Sequence, residues 1–318
     1  MKKIIPLMLV GLSMAVVPAV SANPVDLSGD VSIKYERDTA DGANTVSGTM
    51  TTFKLKAEKK LTPNWSLYAR LGAQHATAPQ LADYNTDGGY KADDKWVVAL
   101  DQFGVVYTAD KMTYKLGRQD VTVGATALLY SRPDSNVGNH NFVDGLTVSG
   151  KAGVLDLSLV AAKEDNPTDQ EENKIYAIRT GYSPAENLNL GLTLGRYEDH
   201  DQGSTNHWAI DEAYTFGKNT LTAEYTKSNR VNDNQAYAAV WDYAFNDKTA
   251  VHVTFFRVEA NGDMGGQSDF DNDNRGIYYG ITHQLTSADS LELVYKDQKT
   301  ISSGEKNTKL EFTVTHTF

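Results

Sequence analysis

The sequence of 318 residues contains no cysteine, which excludes a disulfide framework, a thiolate metal site and a cysteine nucleophile. Its mean hydropathy is −0.44, and no long apolar run follows residue 22, so membrane-spanning helices are not predicted. The seven histidines never form a pair at metal-binding spacing, and the G-x-S-x-G, P-loop and G-x-G-x-x-G motifs do not occur. A formal net charge of −11 argues against nucleic-acid binding. We therefore expect no catalytic activity, no cofactor and no nucleic-acid partner.

Residues 1–22 have the pattern of a secretory signal peptide. Lys2 and Lys3 precede an apolar stretch over 4–17 that is too short to span a membrane comfortably. Small residues follow at Ser21 and Ala22, where a signal peptidase cleaves. The alternative is an N-terminal anchor helix. We expect residues 1–22 to be removed and residues 23–318 to form the folded protein.

From Val25 onward, apolar residues recur with a period of two. Leu188, Leu190, Leu192 and Leu194, for example, alternate with polar or small residues. Side chains on a strand point alternately to opposite faces, so each such run has one apolar and one polar face. About sixteen runs have the length that a tilted membrane strand needs. They lie near 25–37, 47–58, 65–75, 95–108, 112–119, 142–150, 153–163, 174–182, 187–197, 207–216, 219–229, 236–245, 249–258, 275–284, 290–299 and 309–318.

The connections between the runs alternate in length. Short polar turns lie at 59–64, 109–111, 151–152, 183–187, 217–218, 246–248 and 286–289. Longer connections rich in Asp, Gly and Asn include 76–94, 120–141, 164–173, 259–274 and 301–306. Short periplasmic turns and long external loops are typical of an outer-membrane barrel. The fold class is therefore all-β: a transmembrane antiparallel β-barrel of about sixteen strands.

A water-soluble β-sandwich is the alternative to a membrane barrel. Sixteen half-apolar strands in a sandwich would need a very large core and some fully apolar central strands. In lipid a sheet must close on itself, because every backbone group has to pair internally. Aromatic residues at the ends of many runs, such as Trp65, Tyr107, Trp208 and Trp241, favour the barrel, since such rings form girdles at the membrane surfaces. High β-propensity is the simpler explanation of these aromatics.

Three segments resemble Gram-negative general porins, which are trimeric sixteen-stranded barrels. Residues 310–318, LEFTVTHTF, resemble the C-terminal assembly signal of outer-membrane proteins, ending in Phe318. Residues 114–121, YKLGRQDV, are similar to the strand that leads into the third loop of these porins, and residues 25–31 look like their first strand. The resemblance implies a homotrimer in the outer membrane, in contact with lipid, lipopolysaccharide and the barrel-assembly machinery. It also implies passive diffusion of small polar solutes.

The resemblance further implies that the third loop, residues 120–141, folds into the barrel and narrows the pore. This loop contains Arg132 and Asp134 but few other charges. Charges opposite an apolar stripe should face the lumen, because a cation in lipid near the midplane costs about 2–4 kcal/mol. That rule places six wall cations inside: Lys34, Lys54, Lys56, Arg70, Lys115 and Arg179. Arg118 is also a candidate, although strict alternation points it outward unless a bulge intervenes or it lies at the rim.

The spacing of Asp269, Asp271 and Asp273 is that of a D-x-D-x-D calcium loop, but Gly and Glu are missing at its sixth and twelfth positions. A solvated loop is the alternative. The expected function is an outer-membrane porin. The competing functions are an adhesin or receptor that binds through its long loops, and an outer-membrane hydrolase. Sixteen strands favour the porin, because a barrel of that size leaves an aqueous channel.

Overall fold

The computed structural model describes residues 24–82, 95–165 and 173–318. The predicted signal peptide lies outside these residues, as does most of the predicted loops 76–94 and 164–173. The described chain contains a short 3-10 helix, Pro79–Leu81, and eighteen strands. The strands are β1 Val25–Ala40, β2 Val46–Lys60, β3 Trp65–Ala76, β4 Trp96–Ala109, β5 Met112–Gln119, β6 Val121–Val123, β7 Tyr130–Arg132, β8 Val143–Ala152, β9 Leu155–Glu164, β10 Lys174–Ala185, β11 Leu188–Asp199, β12 Gly203–Phe216, β13 Asn219–Ser228, β14 Gln235–Asn246, β15 Thr249–Val258, β16 Asn274–Gln284, β17 Asp289–Thr300 and β18 Lys306–Thr317.

Sixteen of these strands form one closed antiparallel barrel, in which β1 pairs with β18. Each barrel strand overlaps one of the sixteen predicted runs, so the predicted fold class is confirmed. The remaining two, β6 and β7, pair with each other inside the third loop and were not predicted. Among the residues that the structure describes, none belongs to a helix with the length and hydropathy of a transmembrane helix.

The outer face of the barrel is apolar, as the alternation predicts. Leu192, Leu194 and Ile210 all lie on this face with large exposed fractions. Aromatic rings meet near the short-turn end, where Trp65 lies 4.6 Å from Tyr107. Such rings suit the boundary between lipid and water.

The interior of the barrel is partly filled by apolar clusters. Residues of the third loop, such as Leu129 and Tyr130, pack with wall residues of β8 to β12, including Ile175 and Tyr197. A second cluster joins Leu128 to Phe256 and Phe270. The first cluster fills the lumen beside β8 to β12, and the second packs against β14 and β15 at the edge of the space that stays open.

The last residue completes the closure of the barrel. The backbone N–H of Phe318 donates to the carbonyl of Gly29 at 3.0 Å, and Gly29 donates in return at 2.9 Å. The Phe318 ring stacks on Phe53 with centroids 6.2 Å apart. A side chain on Gly29 would come within 2.8 Å of the Phe318 ring, so only glycine leaves room for it.

Candidate functional site

A β-bulge in β4 supplies the main attachment for the third loop. The register between β3 and β4 shifts between Arg70 and Leu71, so that Asp101 is an extra residue on β4. Asp101 and Gln102 are consequently both buried inside the barrel. A bulge commonly re-aims a side chain in this way. Here it brings a carboxylate against Arg70.

Arg70 uses all five of its N–H donors. Nε and Nη2 donate to the two carboxylate oxygens of Asp101, each at 2.8 Å. Nη1 donates to the backbone carbonyl and the carboxylate of Asp134, at 2.6 and 3.0 Å. Nη2 also donates to the carbonyl of Asn136 at 2.7 Å, and the guanidinium lies 4.7 Å from the centre of the Phe142 ring. A rigid fork of this kind fixes loop geometry more strictly than a lysine could.

Asp134 binds the same stretch of wall from the loop side. Its carboxylate accepts hydrogen bonds from Lys56 at 2.8 Å and from Gln102 at 3.1 Å. Partial burial opposes ionisation of Asp134, but the hydrogen bond from Lys56 and the charges of Arg70, Lys56 and Lys54 outweigh it and lower its pKa. Asp134 is therefore a carboxylate at neutral pH, and it neutralises cations that would otherwise face the lumen.

The third loop is also attached to the far wall. The backbone and side chain of Thr126 both donate to Glu224 of β13 at 2.7 Å. Gly124, at φ +102, lets the backbone approach that carboxylate closely. Tyr130 donates to Glu164 at 3.0 Å, and Arg132 forms an ion pair with the same carboxylate at 3.2 Å. The loop thus spans the lumen from the β3 and β4 wall to β13.

A second loop, residues 259–273 between β15 and β16, also enters the barrel. It runs beside the third loop and is joined to it by three backbone hydrogen bonds. Met264 donates to Leu129 at 2.8 Å, Ser131 to Gln267 at 2.5 Å, and Asp269 to Ala127 at 3.1 Å. The two loops therefore form one continuous partition across the lumen.

Asp263 organises the turn of this second loop. Its carboxylate accepts hydrogen bonds from the Ser268 backbone at 3.2 Å and from the Asn272 side chain at 2.8 Å. Burial outweighs these bonds and raises the pKa of Asp263 to about 6. The charge of this residue, and with it the stability of the loop, should change within a pH range that bacteria meet.

The partition leaves a cavity of about 1180 Å³ along β1, β2 and β14 to β18. Its charged wall is a ladder of ion pairs: Lys34 to Glu36 at 3.2 Å, Lys309 to Glu36 at 3.0 Å, Lys296 to Glu311 at 3.2 Å, and Lys54 to Asp30 at 3.4 Å. Six carboxylate and five cationic side chains line the cavity, so its charges nearly balance with a slight acidic excess.

The six predicted wall cations all point into the barrel, but only Lys34 and Lys54 of them line this cavity. Lys56 and Arg70 are bound to Asp134 of the third loop. Lys115 pairs with Asp120 at 3.0 Å, and Arg179 donates hydrogen bonds of 2.5 and 3.1 Å to the carboxylate of Asp211. Arg118 lies on the outer face instead of the pore wall, because β5 alternates without a bulge. It covers the exposed Phe103 ring at 5.7 Å and pairs with Asp144 at 2.8 Å.

The three carboxylates of the predicted calcium loop have different surroundings. Asp271 accepts a hydrogen bond from Gln298, Asp273 accepts one from Ser302, and the pKa of Asp269 is raised by burial. Within 24–82, 95–165 and 173–318, no group of three His, Asp or Glu side chains could hold a metal ion.

Three features of this site were not predicted from the sequence: the burial of Asp101, the inward course of the loop 259–273, and the attachment of the third loop to Glu164 and Glu224. A signal for Asp101 existed. The apolar residues of this strand stand at even-numbered positions up to Leu100, as at Trp96, and at odd-numbered positions from Phe103 to Tyr107. Such a change in the alternation indicates an inserted residue. The partners of the loops are distant in sequence and left no local pattern.

Comparisons with known proteins agree with this architecture. OmpF of Salmonella typhi, solved in complex with daunomycin, is 13% identical to this chain. The match covers 93% of this chain and 98% of OmpF, with a TM-score of 0.62. A mutant of the porin of Rh. blastica is 13% identical, and the match covers 93% of this chain and 100% of that porin, with a TM-score of 0.61. OmpT of Vibrio cholerae, in its trimer form, is 13% identical, and the match covers 93% of this chain and 100% of OmpT, with a TM-score of 0.58.

At this level of identity the solved structures show the fold alone. No curated protein matches the chain. The sequence itself matches the Gram-negative porin family over residues 10–300, which is most of its length. The chain therefore belongs to the Gram-negative porins, and it forms a channel for small solutes in the bacterial outer membrane.

Proposed function

We propose that solutes cross this porin along one side of the barrel, between the partition of two loops and the wall of β1, β2 and β14 to β18. The observation that carries this proposal is the contact of Asp134 with Lys56 and Arg70. Direct ion pairs leave no room for a solute between the third loop and that stretch of wall. The cavity of about 1180 Å³ lies on the other side of the loop.

This route predicts a narrow, water-filled pore without a solute-specific pocket, because paired charges of both signs line the cavity. The test is liposome swelling with uncharged sugars of increasing size, combined with single-channel recording. Deleting residues inside 124–131 should raise the conductance and admit larger sugars. Unchanged conductance in an intact barrel would mean that the third loop does not constrict the pore.

We further propose a weak preference for cations. The cavity carries a slight excess of carboxylates, and Glu292 lines it without an ion-pair partner among the described residues. The long loops add acids at the mouth, such as Asp199 and Asp201. Charges at an entrance raise the local concentration of counter-ions. The zero-current potential under a KCl gradient measures the preference, and a clear anion preference at low salt would contradict it.

The remaining expectations rest on the family. We propose a homotrimer with no catalytic activity and no cofactor, inserted by the barrel-assembly machinery through the strand that ends in Phe318. We also propose cleavage of the signal peptide after Ala22. Light scattering of the purified protein in detergent should give three copies per particle, and mass spectrometry should show Asn23 as the first residue. A monomeric particle or an intact N-terminus would contradict the respective proposal.

A further inference from the structure

The inner face of β11, β12 and β13 is a polar pore wall that the two loops cover. In the barrel register the lumen-facing residues of these strands form three levels, which are Gly195, His207 and Ser228, then Thr193, Ala209 and Thr226, then Gly191, Asp211 and Glu224. Apart from the two glycines, all of these residues are buried. The lumen face of a porin is polar because water wets it. Here such a face lies under protein, and we call it the covered wall.

The part of the partition that lies on the covered wall consists of residues 124–129 and 262–269, which we call the cover. Residues 124–129 are the tip of the hairpin that β6 and β7 form. Leu129 and Met264 belong to the same hydrophobic cluster as Ala209 of the wall. A Cβ atom at Gly195 would overlap the Met264 methyl group, so this glycine provides the space for it. The cover therefore sets apolar side chains against a wall of polar and small residues.

This contact leaves two hydroxyl groups of the covered wall without partners. Thr193 and Thr226 are both 0% exposed, and the Oγ1 atom of each has no hydrogen-bond partner among the described residues. Buried polar groups in native proteins nearly always have a partner, because an unpaired group loses its hydration without compensation. Water hydrates both hydroxyl groups when the cover moves away. The closed contact is thus less stable than the burial of its apolar side chains alone implies.

The attachments of the cover differ in strength. Near the base of the third loop, the buried side chains of Arg70 and Arg132 form ion pairs. At the covered wall, the Oε2 atom of Glu224 accepts the hydrogen bonds from the backbone and side chain of Thr126. Ala127, the next residue, has φ +59, a left-handed conformation that is unfavourable for a residue with a Cβ atom. The contact with Glu224 can therefore break while the base of the loop stays attached.

We propose that the covered wall lines a second permeation path, which opens when the cover leaves β11 to β13. Loss of the hydrogen bonds between Thr126 and Glu224 releases the cover, and the polar side chains of the wall then face water. The inference rests on the proposed route, because the cavity on the other side of the partition conducts whether the cover is closed or open. Opening joins the two spaces and admits polar solutes that are too large for the cavity alone.

The first test measures whether the covered wall becomes accessible. The chain has no cysteine, so a single introduced cysteine is its only thiol. The probe is a methanethiosulfonate reagent with a trimethylammonium group, applied to the full-length mature porin in a planar bilayer, and each reaction is read as a fall in current. Thr313→Cys, on the wall of the open cavity, is the reference. Thr226→Cys should react to completion but at least tenfold more slowly, and Leu192→Cys, on the lipid-facing surface, should not react.

Glu224→Gln tests whether this side chain holds the cover closed. A neutral amide oxygen accepts a weaker hydrogen bond than a carboxylate does, so the cysteine of E224Q/T226C should react at least threefold faster than that of T226C. Loss of a nearby negative charge would by itself slow a cationic reagent, so the sign of the change separates the two effects. The matched control is E212Q/T226C, because Glu212 is exposed on the outer face, and its rate should equal that of T226C.

Single-channel recordings measure how often the cover opens. Wild-type channels should make brief visits to a higher conductance level. Valine has the shape of threonine without the hydroxyl, so T193V/T226V removes the unpaired groups, and the time at the higher level should fall at least tenfold. The control T313V/T315V makes the same change on the open wall and should keep that time within twofold of wild type. The heat-modifiable folded band checks folding, and if T193V/T226V does not fold, each single variant should still reduce the time at least threefold.

Three results would overturn the proposal. If T226C stays unreactive while T313C reacts, the covered wall is permanently buried. If the two cysteines react at the same rate, no cover closes over this wall. If T193V/T226V visits the higher level as often as wild type, the unpaired hydroxyl groups do not favour opening. A T313C variant that conducts but does not react would instead contradict the proposed route, so the two inferences fail separately.

Discussion

Replacing Arg70 with alanine should release one end of the third loop and leave the barrel itself closed. The substitution removes all five hydrogen bonds of a guanidinium that is 1% exposed, and it strands Asp101, which is 0% exposed. Breaking a buried ion pair by removing one partner costs about 3–5 kcal/mol. Since about 1.4 kcal/mol is a factor of ten, the ratio of undocked to docked loop should rise by about two to four orders of magnitude.

The effect should appear in single-channel recordings as larger current fluctuations in the open state and a higher mean conductance. The attachments to Glu224 and Glu164 remain, so the loop should fluctuate and not leave the lumen. The double variant R70A/D101A should be milder than R70A, because no carboxylate is then left buried without its partner.

A matched control is Arg196→Ala. Arg196 lies at the outer rim, is 46% exposed and pairs with Glu198 at 2.9 Å. An exposed pair of this kind contributes about 0–1 kcal/mol. If R70A and R196A gave the same conductance and the same current noise, Arg70 would not be the loop's main attachment. If R70A/D101A were as disturbed as R70A, the stranded carboxylate of Asp101 would not contribute to the effect.

Three further predictions concern charge, pH and assembly. Glu292→Gln should move the zero-current potential toward zero at 0.1 M salt but not at 1 M, where the Debye length is only about 3 Å. Glu212→Gln, on the outer face, is the control and should have no effect. Equal shifts in both variants would contradict the role of Glu292 in the pore. Because burial raises the pKa of Asp263 to about 6, the docked loop 259–273 gains stability as pH falls through that value. Current fluctuations should therefore decrease from pH 7 to pH 5, and Asp263→Asn should show small fluctuations at both pH values. A variant that keeps the wild-type pH dependence would exclude Asp263 as its cause. Deleting Phe318 removes the paired hydrogen bonds to Gly29, so the yield of the heat-modifiable folded band should fall, and a normal yield would show that the terminal residue is dispensable.

The sixteen barrel strands could be predicted because their signal is local. Alternation depends only on neighbours in sequence, and the lipid imposes it on every strand. In the structure the six wall cations point inward, whereas Arg118, a candidate for the pore wall in the sequence, points outward. The rule fails only where the chain inserts a residue, as at Asp101, and even there the change of apolar parity was visible in the sequence.

The loop contacts could not be predicted, because they join residues far apart in sequence. Thr126 and Glu224 are separated by 98 positions, and Lys56 and Asp134 by 78. None of these four residues lies in a sequence pattern that distinguishes an attachment point of the loop from an ordinary solvated side chain. The loop 259–273 has the composition of an external loop, and only its buried Met264 and Phe270 explain its inward course.

These contacts also change what the wall charges do. Read from sequence alone, the cations of β1 to β3 form a basic wall that would attract anions. In the folded protein, Asp134 bonds directly to Arg70 and Lys56, and Lys34 and Lys54 each lie within ion-pair distance of a wall carboxylate. A paired charge exerts a weaker field at a distance than a free one, since the two partners largely cancel beyond their own separation. The carboxylates without a cation, Glu292 above all, therefore have more influence on a passing ion than the more numerous lysines, and this is why the pore should favour cations despite its basic wall.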